Sequence, residues 1–251
     1  IIGNPNAGKS TLMNAFLSQK LSIITAKAQT TRHRILGIFN TPKAQVVFSD
    51  TPGIIKPEYA LQERMMDATN STFEDADIML LVIAADDDGA LDKNAWKKIS
   101  NFGGRLLIVL NKIDLSNQKD LEQLADVWQK KLPDAEIWSI SATESFRVME
   151  LRDRIVSLLP NHPPFFPKDQ ITDKPERFFV NEAIREQILL RYQKEIPYAA
   201  EVMTEQFQET EKIIRIRSVI VVERNSQKGI IIGTKGSAIK HVGIEARKAL
   251  E

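Results

Sequence analysis

The stretch GNPNAGKST, residues 3–11, follows two apolar residues and begins a helix-like segment, KSTLMNAFLSQ at 9–19. It matches the Gly-x-x-x-x-Gly-Lys-Ser pattern of a phosphate-binding loop. Glycines let such a loop curl so that successive N–H groups point at phosphate oxygens, and the positive end of the following helix faces the same anion. We therefore predict that Lys9 meets the β- and γ-phosphates of a nucleotide and that the Ser10 hydroxyl binds Mg²⁺.

Three further motifs follow in order, each at the end of an apolar run. DTPG (50–53) ends AQVVFSD, NKID (111–114) ends RLLIVLNK, and SAT (141–143) ends EIWSISA. Near-continuous Val, Ile and Leu in these runs and in DIMLLVIAAD (77–86) is typical of parallel strands covered on both faces, whose carboxyl ends bind ligands. Helix-like segments alternate with the runs, which predicts a doubly wound α/β domain over 1–160, with an added strand at 35–41 beside 44–50.

The motifs also predict which base is bound. The Asp114 carboxylate can accept hydrogen bonds from the N1–H and the 2-amino group of guanine, whereas adenine offers no such pair of donors. Asn111 would tie NKID to the phosphate loop, and the Ala142 N–H would meet the guanine O6. Asp50 is placed to reach Mg²⁺ through water, and the Gly53 N–H to reach the γ-phosphate. The alternative for Asp114 is a helix cap before LSNQ.

A second glycine loop lies in GIIIGTKGSAIKHVG, residues 229–243. Its GTKG turn (233–236) lacks the Lys-Ser/Thr of a nucleotide loop but fits the GxxG turn of a KH domain, which clamps about four nucleotides of a single strand. Residues 211–251 carry nine Lys and Arg against four Glu, a net charge of +5. The sequence therefore predicts an RNA-binding domain at 177–251, after a proline-rich linker at 161–176. A glycine-rich helix hairpin with basic decoration is the alternative.

Six stretches match one known family in sequence order: GNPNAGKSTLMNAF, AQTTRHRILGI, DTPGI, NKID, SAT and VERNSQKGIIIGTKGSAIKHVG. With these stretches the chain resembles, over essentially its whole length, the Era family of ribosome-assembly GTPases. The resemblance implies a P-loop GTPase domain followed by an α+β type II KH domain that binds small-subunit ribosomal RNA near its 3′ end and assists assembly of that subunit. It makes the polar segment that contains Thr30 and Thr31, between the first helix and the next strand, switch I, with Thr31, or alternatively Thr30, as a ligand of Mg²⁺. Residues 53–66 would be switch II.

Two positions depart from better-known GTPases. Ile54 follows DTPG where Ras-type enzymes carry a glutamine that orients water. The resemblance therefore implies a slow hydrolysis assisted by a potassium ion, with Asn6 as a ligand of that ion or as a brace of the loop. Thr143 ends the SAT motif, so its contact with guanine would come from the backbone.

The expected GTP/GDP and Mg²⁺ site comprises the following residues: Gly3, Asn4, Asn6, Ala7, Gly8, Lys9, Ser10, Thr11, Asp50, Gly53, Asn111, Lys112, Asp114, Ser141, Ala142 and Thr143, with Lys9, Thr31, Gly53 and Asn6 nearest the chemistry. The expected RNA site comprises Lys228, Ile231, Ile232, Gly233, Thr234, Lys235, Gly236, Ser237, Lys240 and Arg247.

Composition adds little to these motifs. The chain has 251 residues, a net charge of +1 and no cysteine, which excludes disulfides and cysteine-bound zinc. It begins without Met and ends within a predicted helix, so we expect further residues at both ends. We expect a monomer in the cytoplasm, with an organelle as the alternative because the N-terminus is missing. Peripheral membrane association is implied by the family alone. A metabolic enzyme, or an RNA-binding protein with a degenerate GTPase domain, would be the competing functions.

Overall fold

A computed structural model describes residues 1–87 and 90–251, which form two compact units. The first unit comprises residues 1–22 and 31–173, and the second comprises residues 23–30 and 174–251. The division after Asp173 falls inside the predicted linker. The grouping of residues 23–30 with the second unit was not predicted from the sequence.

The first unit is an α/β domain. In chain order its elements are β1 (Ile2–Gly3), α1 (Lys9–Leu17), β2 (Ile35–Asn40), β3 (Gln45–Asp50), α2 (Ala60–Asp75), β4 (Ile78–Ala84), α3 (Lys93–Ser100), β5 (Arg105–Asn111), α4 (Gln118–Lys131), β6 (Glu136–Ser139) and α5 (Val148–Leu158). Strands β1, β4, β5 and β6 are parallel neighbours in that order, and β2 pairs with β3 in an antiparallel hairpin. Both the parallel sheet and the added strand were predicted.

The sheet is buried on both faces, as its continuous apolar strands require. Leu81 and Ile108 on the central strands are fully buried, and the packed core extends to Trp128 on α4. Because β1, β4 and β5 run parallel, their carboxyl ends meet at one edge. That edge carries the loops that contain the sequence motifs.

The second unit has helices and a two-stranded antiparallel sheet. Its elements are α6 (Glu176–Arg191), α7 (Ile196–Ala199), β7 (Ala200–Glu209), β8 (Ile214–Val222), α8 (Asn225–Ile232) and α9 (Ser237–Leu250). Its core joins Ile188 and Tyr192 at the end of α6 with Ile231 on α8 and Val242 on α9. Helices α8 and α9 flank the GTKG turn, as the KH prediction requires.

A β-bulge changes the alternation along β7. The pairing with β8 shifts between Thr204 and Gln206. The alternation of side chains between the two faces of the sheet is therefore offset by one residue after the bulge. Val202 and Thr204 are at least partly buried before the bulge, and Phe207 is partly buried after it. A strict two-residue period from the sequence assigns Phe207 to the face opposite Val202, and the extra residue of the bulge removes that difference.

Candidate functional site

The phosphate loop is held together by its own lysine. Lys9 is only 6% exposed, and its Nζ donates to the carbonyl oxygens of Gly3 at 3.1 Å and Asn4 at 2.8 Å. Burial lowers the pKa of Lys9 to about 8, and the nearby Asp50 carboxylate opposes that shift. The loop therefore presents a buried cation whose present partners are weak neutral acceptors, which phosphate oxygens can replace.

Three oxygen atoms meet behind the loop. The Ser10 hydroxyl donates to Asp50 Oδ2 at 2.7 Å and lies 2.9 Å from the Thr31 hydroxyl. The Thr30 hydroxyl instead lies 2.6 Å from the Thr25 hydroxyl. Of the two threonines considered from the sequence, Thr31 is the one beside Ser10 and Asp50.

This cluster fits a magnesium ion. Asp50 is fully buried, and its Oδ1 atom has no hydrogen-bond partner within residues 1–87 and 90–251. Burial raises the pKa of the Asp50 carboxyl, while the Ser10 hydrogen bond and the Lys9 charge lower it. A buried carboxylate oxygen without a partner is costly, and two hydroxyls with one carboxylate are the hard oxygen donors that Mg²⁺ takes alongside substrate phosphates.

Asn111, at the end of β5, joins two loops. Its Nδ2 donates to the Ala7 carbonyl at 2.9 Å, and its Oδ1 accepts from the Ala142 N–H at 3.0 Å. A Cβ atom on Gly8 would lie 2.1 Å from the Asn111 Nδ2, so only glycine fits there. The predicted tie from NKID to the phosphate loop is confirmed. The Ala142 N–H, predicted to meet guanine O6, is engaged with Asn111 here.

Asp114 does not cap helix α4. It is exposed and makes no hydrogen bond or ion pair with any residue that the structure describes. Helix α4 is capped by Asn117, whose side chain accepts from the Asp120 N–H at 3.0 Å. The helix-cap alternative for Asp114 is therefore wrong, and its carboxylate is available to two donors of a base.

The loop after β4 contacts the phosphate loop and the NKID motif. These two contacts were not predicted from the sequence. Asp87 accepts from Asn4 Nδ2 at 3.2 Å, and Asp86 pairs with Lys112 at 3.2 Å. The Lys112 pair is largely solvent-accessible and contributes little energy. Their position in the sequence could have indicated a role near the nucleotide, because both aspartates follow the carboxyl end of a buried parallel strand.

Switch II begins against the phosphate loop. A Cβ atom on Gly53 would lie 2.7 Å from the Pro5 Cα, so the two backbones are in close contact. The Ile54 N–H donates to the Gly3 carbonyl at 3.0 Å, and the Ile54 side chain is buried in the core. Ile54 therefore offers no group to a water molecule. Asn6, the candidate potassium ligand, is exposed with a left-handed backbone at φ 61°.

The remaining predicted nucleotide residues surround this site. Ser141 is buried and forms a backbone bridge with Phe146, which closes the SAT loop. Thr143 at the tip of that loop is exposed, and Thr11 is half-buried in the first turn of α1. Their predicted contacts with the nucleotide stay predictions.

The second glycine loop is an exposed turn. Lys235 and Gly236 both have left-handed backbones, at φ 50° and 78°. Thr234 and Lys235 are exposed, and a Cβ atom on Gly236 would meet nothing within 4 Å. The turn between α8 and α9 thus presents open backbone to solvent, in contrast to the enclosed first loop.

The predicted RNA residues do not all share this surface. Lys228, Ser237 and Lys240 are exposed on the flanking helices. Ile231 is 3% exposed and packs into the domain core, so its predicted contact with RNA is wrong for the side chain; Ile230 and Ile232 are exposed, at 52% and 36%. Arg247 lies about 15 Å along α9 from Ser237 at 1.5 Å per residue, and it pairs with Glu251.

Comparison with known families identifies both units. The 50S ribosome-binding GTPase family matches residues 1–112, and the KH domain family matches residues 195–251. GTPase Era of Lacticaseibacillus paracasei is 43% identical over 253 residues, covering 100% of this chain and 84% of that protein. GTPase Era of Syntrophus aciditrophicus is 44% identical over 254 residues, covering 100% and 83%.

Solved structures agree over the same length. Era in complex with MgGDPNP and nucleotides 1506–1542 of 16S ribosomal RNA is 37% identical, with a TM-score of 0.91, covering 100% of this chain and 86% of that one. A variant of Aquifex aeolicus Era bound to GDP·AlF4⁻ is 36% identical, with the same TM-score and coverage.

Proposed function

The chain belongs to the Era family of GTPases, and from that premise we propose that its GTP hydrolysis controls binding of small-subunit ribosomal RNA near the 3′ end. GTP and GDP with Mg²⁺ are its nucleotide ligands. The observation that carries the RNA half of the proposal is the open GxxG turn at 233–236, because the related Era structure holds 16S ribosomal RNA.

Each part of the nucleotide site has a task in hydrolysis. Lys9 would exchange its two loop carbonyls for phosphate oxygens, Ser10 and Thr31 would ligate Mg²⁺, and Asp50 would hold the ion through water. When bound, Mg²⁺ neutralises charge that develops on the phosphate oxygens. The Gly53 N–H, on backbone that is in close contact with Pro5, would orient the terminal phosphate. Asp114 accepts from guanine, which selects the nucleotide.

No side chain at position 54 orients the attacking water. We propose that hydrolysis is slow and depends on a potassium ion held by Asn6. Replacing potassium with sodium should then slow turnover, and Asn6→Ala should remove the difference between the two salts. Ile54→Val, which keeps the core nearly filled, should retain hydrolysis within about tenfold, or 1.4 kcal/mol of barrier. Equal rates of the parent in both salts would refute the potassium role alone.

The GxxG turn would hold the RNA mainly by close contact with the RNA backbone, and a few positive charges would add to the affinity. Gly236 leaves room for a phosphodiester chain, because a Cβ atom there would meet nothing within 4 Å, whereas Gly233 packs closely against Ala238. Lys235 is exposed in the turn and is placed to contact phosphate. Exposed Ile230 and Ile232 on the preceding helix offer apolar surface to unstacked bases. Such a surface suits a single strand, because KH modules clamp about four nucleotides through a GxxG loop.

The test is a binding titration of the full chain, loaded with a non-hydrolysable GTP analogue. The probes are a single-stranded oligonucleotide from the 3′ end of small-subunit ribosomal RNA and the same sequence in a duplex. We expect tighter binding of the single strand, with ultraviolet crosslinks in residues 226–240. Equal binding of the duplex, or crosslinks confined to residues 1–160, would overturn the RNA assignment.

We further propose that the protein binds the whole small ribosomal subunit. It would do so as a monomer in the cytoplasm. Cosedimentation with purified small subunits in the presence of the GTP analogue, but not with large subunits, is the expected result. Within the described ranges, no helix is both long and apolar enough to cross a membrane. Peripheral membrane association stays a prediction from the family.

A further inference from the structure

The chain forms a tight turn where β4 ends. The Asp87 N–H donates to the Ala84 carbonyl at 3.0 Å, which closes a four-residue turn over 84–87. The Ala85 N–H in that turn donates to the Asn111 carbonyl at 2.8 Å. Asn111 also ties the phosphate loop to the SAT loop through its side chain. The turn after β4 is therefore fixed to the residue at which the nucleotide loops meet.

Two consecutive carboxylates of this turn contact two different loops. Asp87 Oδ2 accepts a hydrogen bond at 3.2 Å from the Asn4 Nδ2, which belongs to the phosphate loop. Both carboxylate oxygens of Asp86 accept from the Lys112 Nζ of the NKID motif, at 3.2 and 3.4 Å. The turn thus connects the motif that is assigned to the phosphates with the motif that is assigned to the base.

The Asn4 side-chain amide donates to two acceptors in the loop after β4. The Ala90 carbonyl, at 3.1 Å, is the second acceptor beside Asp87, and an amide nitrogen has two N–H groups to give. The backbone carbonyl of Asn4 accepts from the Lys9 Nζ at 2.8 Å. The Asn4 side chain therefore positions the residue on which the phosphate-binding lysine rests.

Lys112 has an unfavourable backbone conformation that its neighbours must hold. Its φ is 62°, in the left-handed region, where a residue with a Cβ atom is strained. It directly precedes the short helical turn Ile113–Leu115, which carries Asp114. The ion pair with Asp86 fixes the far end of the Lys112 side chain. Asp86 therefore supports the orientation of the NKID motif, next to the carboxylate that is assigned to guanine.

We propose that Asp86 and Asp87 are positioning residues that slow the release of bound nucleotide. Asp87 acts through Asn4 on the phosphate loop, and Asp86 acts through Lys112 on the base side of the site. Each carboxylate holds a loop in place before the nucleotide binds, which lowers the ordering cost of binding. The inference rests on the nucleotide site of the proposed function and is independent of RNA binding.

Charge alone predicts the opposite effect. Two carboxylates close to a phosphate site repel the anion, so their removal would slow release if repulsion dominated. Both carboxylates accept from nitrogen donors of the loops, and a hydrogen bond to a charged acceptor is stronger than a neutral one. Asp87→Asn separates the two effects, because the amide oxygen can still accept from Asn4 while the charge is removed.

The test is the rate at which a fluorescent GDP dissociates from the full chain, with Mg²⁺ present and excess unlabelled GDP as the chase. Asp87→Ala should speed release about fivefold, the effect of losing one partly exposed hydrogen bond. Asp87→Asn, which keeps an acceptor, should stay within about twofold of the parent. Asp86→Ala should speed release about twofold, because its ion pair is largely solvent-accessible. Asp126→Ala, an exposed carboxylate on α4, is the matched control and should release GDP at the parent's rate.

Two comparisons distinguish positioning from a general loss of structure. GMP lacks the β-phosphate that the phosphate loop holds. Asp87→Ala should therefore weaken GDP binding about fivefold and leave GMP binding nearly unchanged, whereas Asp86→Ala should affect both ligands equally. Asn4→Ala should speed release at least as much as Asp87→Ala, because it also loses the Ala90 carbonyl. Adding Asp87→Ala to Asn4→Ala should cause no further change, since the two residues share one hydrogen bond.

The outcomes separate this inference from the assignment of the site. If the parent does not bind GDP, the proposed nucleotide function fails and the inference falls with it. If the parent retains GDP but Asp87→Ala releases it no faster, or weakens GDP and GMP alike, the inference is wrong and the nucleotide function stands. Equally fast release from Asp87→Asn would also contradict the hydrogen-bonding role. Should Asp87→Ala fail to fold, release from Asn4→Ala at the parent's rate would overturn the inference, and faster release would support it.

Discussion

The two glycine loops of this chain differ in how far they are enclosed by the rest of the protein. In the first, Lys9 and Ala7 are buried, and Asn111 from another strand fixes the loop from outside. In the second, Thr234 and Lys235 are exposed, and space around Gly236 is open for 4 Å. Glycine is needed for different reasons in the two loops. At Gly8 it allows close packing against a side chain, and at Gly236 it allows an open left-handed turn.

The difference sets what each loop can bind. An enclosed loop with converging N–H groups and a desolvated lysine gains strong interactions, because charges act at low effective dielectric. It can therefore hold one small anion tightly and in one orientation. An exposed turn makes weaker, screened contacts and leaves both ends open, which suits a polymer that passes through. Changes in the first loop should be severe and insensitive to salt, and changes in the second mild and sensitive to salt.

The largest effect should come from Lys9→Ala. Losing two charge-assisted hydrogen bonds, worth about 1.5–3 kcal/mol each, should weaken Mg·GTP binding by about 10²–10⁴-fold. Isothermal titration calorimetry measures this loss, with Lys43→Ala in the exposed β2–β3 turn as control. A loss below tenfold at Lys9, or an equal loss at Lys43, would contradict the enclosed-loop picture.

Asp114→Asn should change the base that is bound. Guanine nucleotides should lose about a hundredfold in affinity because an amide cannot accept from both donors. Xanthine nucleotides should gain, since xanthine carries a carbonyl where guanine has its amino group. Competition between GDP and XDP measures both changes, and Asp120→Asn at the start of α4 is the control. Unchanged preference for guanine would remove Asp114 from the site.

Gly236→Asp tests the open turn. The carboxylate should repel the RNA backbone and weaken binding by more than about tenfold, while Mg·GTP binding is unchanged because the phosphate loop lies in the other unit. Gly236→Asn has nearly the same shape and tolerates the same left-handed backbone, so it isolates the effect of charge. If the Asp variant binds RNA like the parent, the second loop is a structural hairpin.

The buried Lys9 should make nucleotide affinity depend on pH. The pKa of Lys9 is about 8 in the free protein, and bound phosphate charge should raise it. Protonation then accompanies binding above pH 8, so GDP affinity should be flat below about pH 8 and fall by up to tenfold per pH unit above it. Guanosine, which lacks phosphate, is the control and should show no such slope. Equal slopes for both ligands would assign the titration elsewhere.

The smallest effect should come from Lys235→Ala. Removing one exposed phosphate contact should lower the slope of log affinity against log salt by about 0.7, the single-strand value per contact. Affinity at moderate salt should change only a few-fold. Titrations at two salt concentrations measure the slope, and Lys212→Ala should leave it unchanged. A slope that stays the same in Lys235→Ala would place the phosphates away from the turn.

Local patterns were enough for much of this site. Lys9, Ser10, Asp50 and Asn111 were predicted from short motifs at the ends of apolar strands, and the structure brings them together. The success has a physical reason, since parallel strands must be apolar throughout and must present their carboxyl ends on one edge. The helix cap at Asn117 and the buried Ile231 were missed, because several residues in each stretch satisfied the same local pattern.

The sequence by itself determined the order of the domains, the guanine nucleotide site and the GxxG turn, because each depends on residue types at fixed short spacings. Only the tertiary structure decided that Thr31 and not Thr30 lies beside Ser10, and that Lys27 anchors residues 23–30 to helix α6 in the second unit. The carbonyl groups that Lys27 meets are present in every residue of the chain. Which of them lack partners depends on where a helix ends and what packs against it, and no local pattern records that.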